Sequence, residues 1–214
     1  MIRYDCEQGS EEWFAVRRGV ITGSRFKDCR DKLKNGQPSK ACLAYAQDLA
    51  RERCGGTPQA KFQTAAMRTG TEQESAARAA YEVSTGNLVE TVGFFKTDDG
   101  MFGISPDSLI DTDGVLEVKT MVSSDTLFTA VAAGDLSEYM DQCLGYLWLL
   151  GRKWVDLVLW MPDLGHMAIH RIDRKDNENA IERLEADLMS FAKLVETNEA
   201  ALRAALTKVI VCQK

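Results

Sequence analysis

Apolar and polar positions alternate with two periods along this chain, and the changes of period mark out helices and strands. A short helix is predicted after Ser10, with Glu11 and Glu12 at its positive end and Gly19 as its stop. A second follows the small-residue turn Val20-Ile21-Thr22-Gly23-Ser24-Arg25. After a loop at 34–38, Ser39 caps a helix that turns Cys42, Leu43, Ala46 and Leu49 inward and stops at Gly55-Gly56. Residues 57–62 read as a connection, and an alanine-rich helix over 64–85 ends at Gly86.

Strands are predicted over 87–96 and 101–105, around the turn Thr97-Asp98-Asp99-Gly100, and over 115–120. Helices over 123–133 and 137–150 come next, the second capped by Ser137 with Glu138 and closed by Gly151. Strands over 153–161 and 166–172 enclose Pro162 to Gly165, and a long helix over 176–206 buries Ile181, Leu184, Leu188, Phe191, Leu194 and Val195 along one face. This order suits an α/β fold of three layers, α/β/α, around a central mixed sheet with added helices, as one domain over residues 1–214.

The chemistry gathers between residues 103 and 120. Asp111-Thr112-Asp113-Gly114 is a reverse-turn signal, and pairing Asp111 with Gly114 brings Asp107 and Ser108 opposite Val118 and Glu117, within one residue of slip. Strand alternation then points Glu117 and Lys119 one way while Leu116 and Val118 point into the core. Two carboxylates and an amine at one sheet edge suit a hard cation such as Mg²⁺ or Mn²⁺, with a lysine able to orient or deprotonate an attacking water. That is equipment for phosphodiester hydrolysis. The same residues also fit a turn-capping aspartate and a solvated Glu–Lys pair.

Size and composition narrow the field. With 214 residues, 45% hydrophobic and 27% charged, the chain has the make-up of a soluble globular protein, and a cytoplasmic location is expected because no apolar run is long enough for a bilayer span or signal peptide. Six cysteines without a CxxC read as reduced thiols, and His166 with His170 on one strand face is a weak metal pair. The net charge of −6 excludes a uniformly basic nucleic-acid coat. Eight Lys or Arg between Trp13 and Lys40, against Asp28 and Asp31, and seven acids between Asp176 and Ala200 predict a basic end and an acidic end. At the first of these, Thr22 and Ser24 on a helix start, with Arg17 nearby, form a possible phosphate cradle.

Pro106-Asp107 followed by Glu117-Val118-Lys119 resembles the PD-(D/E)XK nuclease motif. Gln8-Gly9-Ser10-Glu11-Glu12-Trp13, then Arg17, then Gly19-Val20-Ile21-Thr22-Gly23-Ser24 resembles the N-terminal signature of the lambda-exonuclease and YqaJ-like viral recombinase family of that superfamily. Gly70 to Arg78 resembles the family segment whose glutamate, here Glu74, adds a metal ligand. Met67 and Arg68 fall where the family meets the incoming duplex, and Gln142, after Tyr139-Met140-Asp141, matches a glutamine that supports the lysine or the metal-held water.

The resemblance implies a restriction-endonuclease-like core. It also implies a Mg²⁺-dependent exonuclease, using two ions and accepting Mn²⁺ as a substitute, that digests one strand of linear double-stranded DNA from 5′ to 3′. Mononucleotides and a 3′ overhang for recombination would result, with a homotrimeric ring and a single-strand annealing protein as partner. Asp107, Glu117, the Val118 carbonyl and Glu74 would hold metal, Lys119 would position water and Gln142 would support it. Arg17, Ser24 and Ser105 would hold a terminal 5′-phosphate, with Arg25, Met67 and Arg68 also on the DNA path. One departure from the family stands out: no Lys or Arg occurs between Lys119 and Arg152, where the family can carry an arginine. A structure-specific or restriction-like endonuclease, or a non-catalytic DNA-end binder, would share many of these residues.

Overall fold

Two mixed sheets organise the protein, whose computed structural model describes residues 1–58 and 64–208. Cys212 and most of the connection read at 57–62 lie outside the described residues. The smaller sheet runs in the order β1 (Ile2–Tyr4), β4 (Phe94–Lys96), β5 (Phe102–Ile104), β2 (Ile21–Thr22). The larger runs β3 (Val89–Glu90), β6 (Ser108–Ile110), β7 (Gly114–Thr120), β8 (Trp154–Met161), β9 (His166–Asp173). Parallel pairing occurs between β2 and β5 and between β7 and β8; the remaining pairs are antiparallel.

The helices are α1 (Glu11–Arg17), α2 (Phe26–Arg30), α3 (Lys40–Arg53), α4 (Ala65–Thr85), α5 (Ser124–Leu127), α6 (Ser137–Leu150) and α7 (Arg174–Leu206). Their ends follow the expected chemistry. Ser10, Ser39 and Thr64 each accept a first-turn backbone N–H, and α4 and α6 end on left-handed Gly86 and Gly151.

Both faces of the larger sheet are covered. On one, Val115, Leu157 and Leu159 pack with Leu144 and Leu147 of α6 and Leu184 and Leu188 of α7. On the other, Ile110, Leu116 and Val158 pack with Tyr81 of α4. The α/β layering expected from the element order is therefore present, and β8 is apolar on both faces because neither meets water. Its exception is buried Asp156, which accepts from Tyr81 Oη at 2.6 Å and from two nitrogens of Arg171 at 2.8 Å.

Several local expectations change. The stretch at 87–96 is two strands in different sheets, separated at Gly93, where a Cβ would stand 2.3 Å from the Tyr4 carbonyl oxygen and 2.5 Å from that of Cys6. Strands β1 and β2 are too short to leave a period in the sequence. The helix at 123–133 passes from α5 into a π-helical turn, Phe128–Ala132. Ser137 is the first residue of α6 and not its cap; its N–H is taken by Asp135 Oδ1 at 2.9 Å. The basic and acidic runs are not opposite ends of the molecule, because Arg30 and Lys32 both pair with Asp187 of α7 and Arg30 also pairs with Asp141. Packing of α2 against α7 turns the two runs toward each other and spends their charge internally.

The strand leading to Asp107 is closely packed. A Cβ at Gly103 would lie 2.1 Å from the ring of Phe94, a residue with 0% exposure. The Gly103→Ala variant should therefore lose about 1–3 kcal/mol by overpacking, read as a lower midpoint in thermal or urea denaturation. An unchanged midpoint would show that β4 and β5 are less tightly apposed than described.

Candidate active site

The hairpin β6–β7 pairs Ile110 with Gly114, Leu109 with Val115 and Ser108 with Leu116, so Asp107 arrives beside Glu117. The turn is one residue longer than the pairing of Asp111 with Gly114 expected from sequence. Asp111 sits at φ 45°, a left-handed conformation that aspartate tolerates better than most side chains. Asp107 is tied to the neighbouring strand, its Oδ2 accepting from the Val118 N–H at 2.7 Å.

Glu117 is 2% exposed and points toward α6, on the face opposite Leu116. A carboxylate so buried needs partners, and each oxygen has them. Gln142 Nε2 donates to Oε1 at 2.7 Å, and Lys119 Nζ lies 2.7 Å from the same oxygen. Tyr146 Oη donates to Oε2 at 2.6 Å. The group is cross-linked: Lys119 Nζ donates to Gln142 Oε1 at 3.0 Å, and Gln142 Nε2 also donates to Tyr146 Oη at 2.6 Å. Gln142 and Tyr146 reach it together because they stand one turn apart on α6.

The electrostatics follow from this crowding. Burial, then Glu117, then Glu74 hold the Asp107 carboxyl well above the usual carboxylate range, against the pull of Lys119 and the Val118 N–H. Burial pushes Lys119 down, but Glu117 and Asp107 outweigh it and keep the ammonium protonated beyond the ordinary lysine range. Lys119 is therefore a donor that can orient an oxygen, not a ready base. Burial and the neighbouring Glu117 and Asp107 raise Tyr146 well above its normal value, so it remains a hydroxyl donor.

The donor set suits a hard divalent cation: carboxylate oxygens are concentrated beside one strand, where burial and the neighbouring carboxylates already disfavour ionisation of Asp107. Glu74, from α4, is near enough to raise Asp107 but is paired with Arg78 one turn along its own helix. Among the described residues no three His, Cys, Asp or Glu side chains are gathered closely enough to hold an ion. His166 and His170 accordingly form no such group; the His170 Nε2 is buried without a hydrogen-bond partner.

A second feature adjoins the carboxylates. The Arg17 guanidinium stacks over Trp13 at 3.8 Å and lies 5.4 Å from the centre of the Phe94 ring. Among the described residues it makes no ion pair, and burial brings it down to about 10. Trp13 Nε1 donates to Ser105 Oγ at 3.1 Å, which joins this cation to the segment two residues before Asp107.

Other sequence candidates are placed differently. Ser24 is exposed on a 3₁₀ turn, Gly23–Arg25. Thr22 is buried against Tyr45, whose Oη accepts from its N–H at 3.2 Å, so it does not offer a free cradle. Arg25 pairs with Asp28 and lies 4.1 Å over the Tyr45 ring. Met67 and Arg68 are exposed at the start of α4. Tyr146 and Trp13 are the participants that sequence reading passed over. Nothing local marks out Tyr146, because a tyrosine four positions after Gln142 is at home in an apolar helix.

Comparison with known proteins places the fold and the family. No curated protein sequence gives a significant match. Among solved structures, an alkaline exonuclease from Laribacter hongkongensis is 32% identical, with a TM-score of 0.80 over 94% of this chain and 100% of its own, and the same enzyme solved in complex with dAMP aligns equally well. A phage-related exonuclease from Haemophilus somnus, 12% identical with a TM-score of 0.69 over 90% of this chain and 98% of its own, shares the fold. Residues 12–153, which include Arg17, Glu74, Asp107, Glu117, Lys119, Gln142 and Tyr146, match the YqaJ-like viral recombinase domain, and the chain belongs to that family.

Proposed function

We propose that this nuclease is a Mg²⁺-dependent exonuclease that digests one strand of linear double-stranded DNA from the 5′ end, releasing mononucleotides and leaving a 3′ overhang for strand annealing. The observation that carries the reading is Glu117, buried and bonded at both oxygens by Lys119, Gln142 and Tyr146 directly beside Asp107. A mere surface ion pair would need no such support.

Asp107, Glu117, the Val118 carbonyl and Glu74 would hold one or two Mg²⁺ ions, with Mn²⁺ as a substitute. Bound there, a divalent cation supplies Lewis-acid stabilisation of charge on the phosphoryl oxygens and lowers the pKa of a coordinated water. The chain's own residues do the rest. Lys119 presents a protonated amine that orients the attacking oxygen and offsets developing negative charge. Gln142 fixes that amine through its carbonyl, and Tyr146 fixes the far oxygen of Glu117, so the nearer side of the carboxylate keeps its aim.

Polarity rests on Arg17. A half-buried guanidinium between two rings, with no carboxylate paired to it among the described residues, is suited to a phosphate, and Ser105 stands next to it through Trp13. Arg17, Ser105 and exposed Ser24 would receive the terminal 5′-phosphate. Arg25, Met67 and Arg68 would lie along the duplex. The dAMP complex of the Laribacter enzyme supports mononucleotide release. A homotrimer and a single-strand annealing protein complete the family-based reading. No described helix is long and apolar enough to cross a membrane, which fits work on DNA in the cytoplasm.

The decisive experiment uses linear duplexes labelled separately at each 5′ end, with and without a 5′-phosphate, beside covalently closed circular DNA. Mg²⁺ should produce loss of 5′-terminal nucleotides and leave circles intact, and EDTA should stop it; nicked circles would replace the exonuclease reading with an endonuclease. Asp107→Ala should lower the rate by about 10²-fold or more while DNA-end binding, followed by fluorescence anisotropy, remains. Tyr146→Phe leaves a buried carboxylate oxygen unpaired, at a cost of about 1–3 kcal/mol, and should slow digestion by about 10- to 100-fold with little change in KM. Arg17→Met should erase the advantage of 5′-phosphorylated over 5′-hydroxyl ends. A retained advantage would move the phosphate site elsewhere.

A further inference from the structure

Beside the carboxylate cluster lies a cavity of about 430 Å³ between α4 and the chain around residues 5–8. Its walls include Asp5, Glu7 and Glu74, and among the described residues Arg78 is the one cation in its lining. Gln8, also in the wall, donates from Nε2 to the carbonyl of Pro106 at 3.1 Å, so the cavity adjoins the residue that precedes Asp107.

Arg78 has a single ion-pair partner among the described residues, the Oε1 of Glu74. The pair is partly buried, with the arginine side chain 20% exposed and the glutamate 27%. Glu74 is also near enough to Asp107 to act on it electrostatically. One carboxylate thus stands between two cationic demands, the guanidinium on its own helix and any divalent ion at the Asp107–Glu117 cluster.

We propose that Arg78 is a latch on Glu74: it holds that carboxylate while the cluster lacks a divalent ion and, when Glu74 turns to a bound ion, is freed to contact a DNA backbone phosphate in the adjoining cavity. The inference rests on the metal-dependent reading given above. Its physical basis is competition for one anion. A divalent ion and a guanidinium repel each other, so both cannot keep a close hold on the same small carboxylate group without cost. The released arginine then stands in a wall whose other charged members, Asp5 and Glu7, repel phosphate. A phosphate is accepted there only when Arg78 is free, which links DNA contact to metal occupancy. Arg78 is a positioning residue toward Glu74 and a contact residue toward DNA.

The test measures metal and DNA binding separately. Calorimetric titration of the DNA-free protein with Mn²⁺ alone should show Arg78→Met binding the ion about fivefold more tightly than wild type, since the competitor is gone. In a Lys119→Ala background, used to keep duplex uncut, the slope of log affinity against log salt should shrink by about one when Arg78→Met is added, with Mn²⁺ present and not in its absence. Arg78→Gln serves if the methionine variant does not fold, as judged by its thermal midpoint. No Mn²⁺ uptake by wild type would overturn the metal-centre reading itself. Normal uptake with unchanged affinity in the Arg78 variants would overturn the latch alone, and so would a salt-slope change that is the same with and without Mn²⁺.

Discussion

A carboxylate kept almost wholly out of water is the constraint on which the rest of this molecule turns. Glu117 lies on a strand whose two faces are both covered, and an ionised group there is tolerable only if every oxygen finds a donor. The donors come from its own strand and from α6, so the sheet and that helix must meet in one relative position. Gln142 and Tyr146 take part in four of the hydrogen bonds in the cluster, and the apolar residues around them, Cys143, Leu144 and Leu147, bury that side of α6 in the core. Packing and polar satisfaction are thus one requirement.

The same economy shapes the surroundings. Most of the basic run at the N-terminal side is engaged inside the molecule: Arg30 and Lys32 on the acidic α7, Lys27 on Glu138, Arg25 on Asp28, and Arg18 on the carbonyls of Gly55 and Gly56. Arg17 differs, held by aromatic rings and not by a carboxylate. In a protein of net charge −6, a cation with no carboxylate partner among the described residues is worth more to recognition than many neutralised ones. Arg78 illustrates the opposite arrangement, with its charge taken up by Glu74.

Much of the site was readable from sequence because it depends on short-range rules. The turn at residues 111–114 and the strand alternation place Asp107, Glu117 and Lys119 on one edge whatever the remainder of the chain does, and the observed pairing differs from the expected one by a single residue. Gln142 could be singled out as a polar residue in an apolar helix. Tyr146 could not, since tyrosine is at home in a core and only the position of its hydroxyl against Glu117 reveals the role. Thr22 and Ser24 group with Arg17 by proximity along the chain, but a neighbour from α3 changes the surroundings: Tyr45 takes up Thr22 and lies under Arg25.

By itself, the amino-acid order determined most of the helices and their caps, the α/β layering, the central hairpin and the residue types gathered on it, because all of these follow from periods and turns a few residues long. Tertiary structure alone decided that 87–96 would divide between two sheets, that Arg30 and Lys32 of the basic run would meet Asp187 of the acidic one, and that Glu117 would be buried with a tyrosine on its far oxygen. Those outcomes depend on contacts between segments distant in the chain, where backbone clearance and the need to pair buried charge select the partner, and no local pattern carries that information.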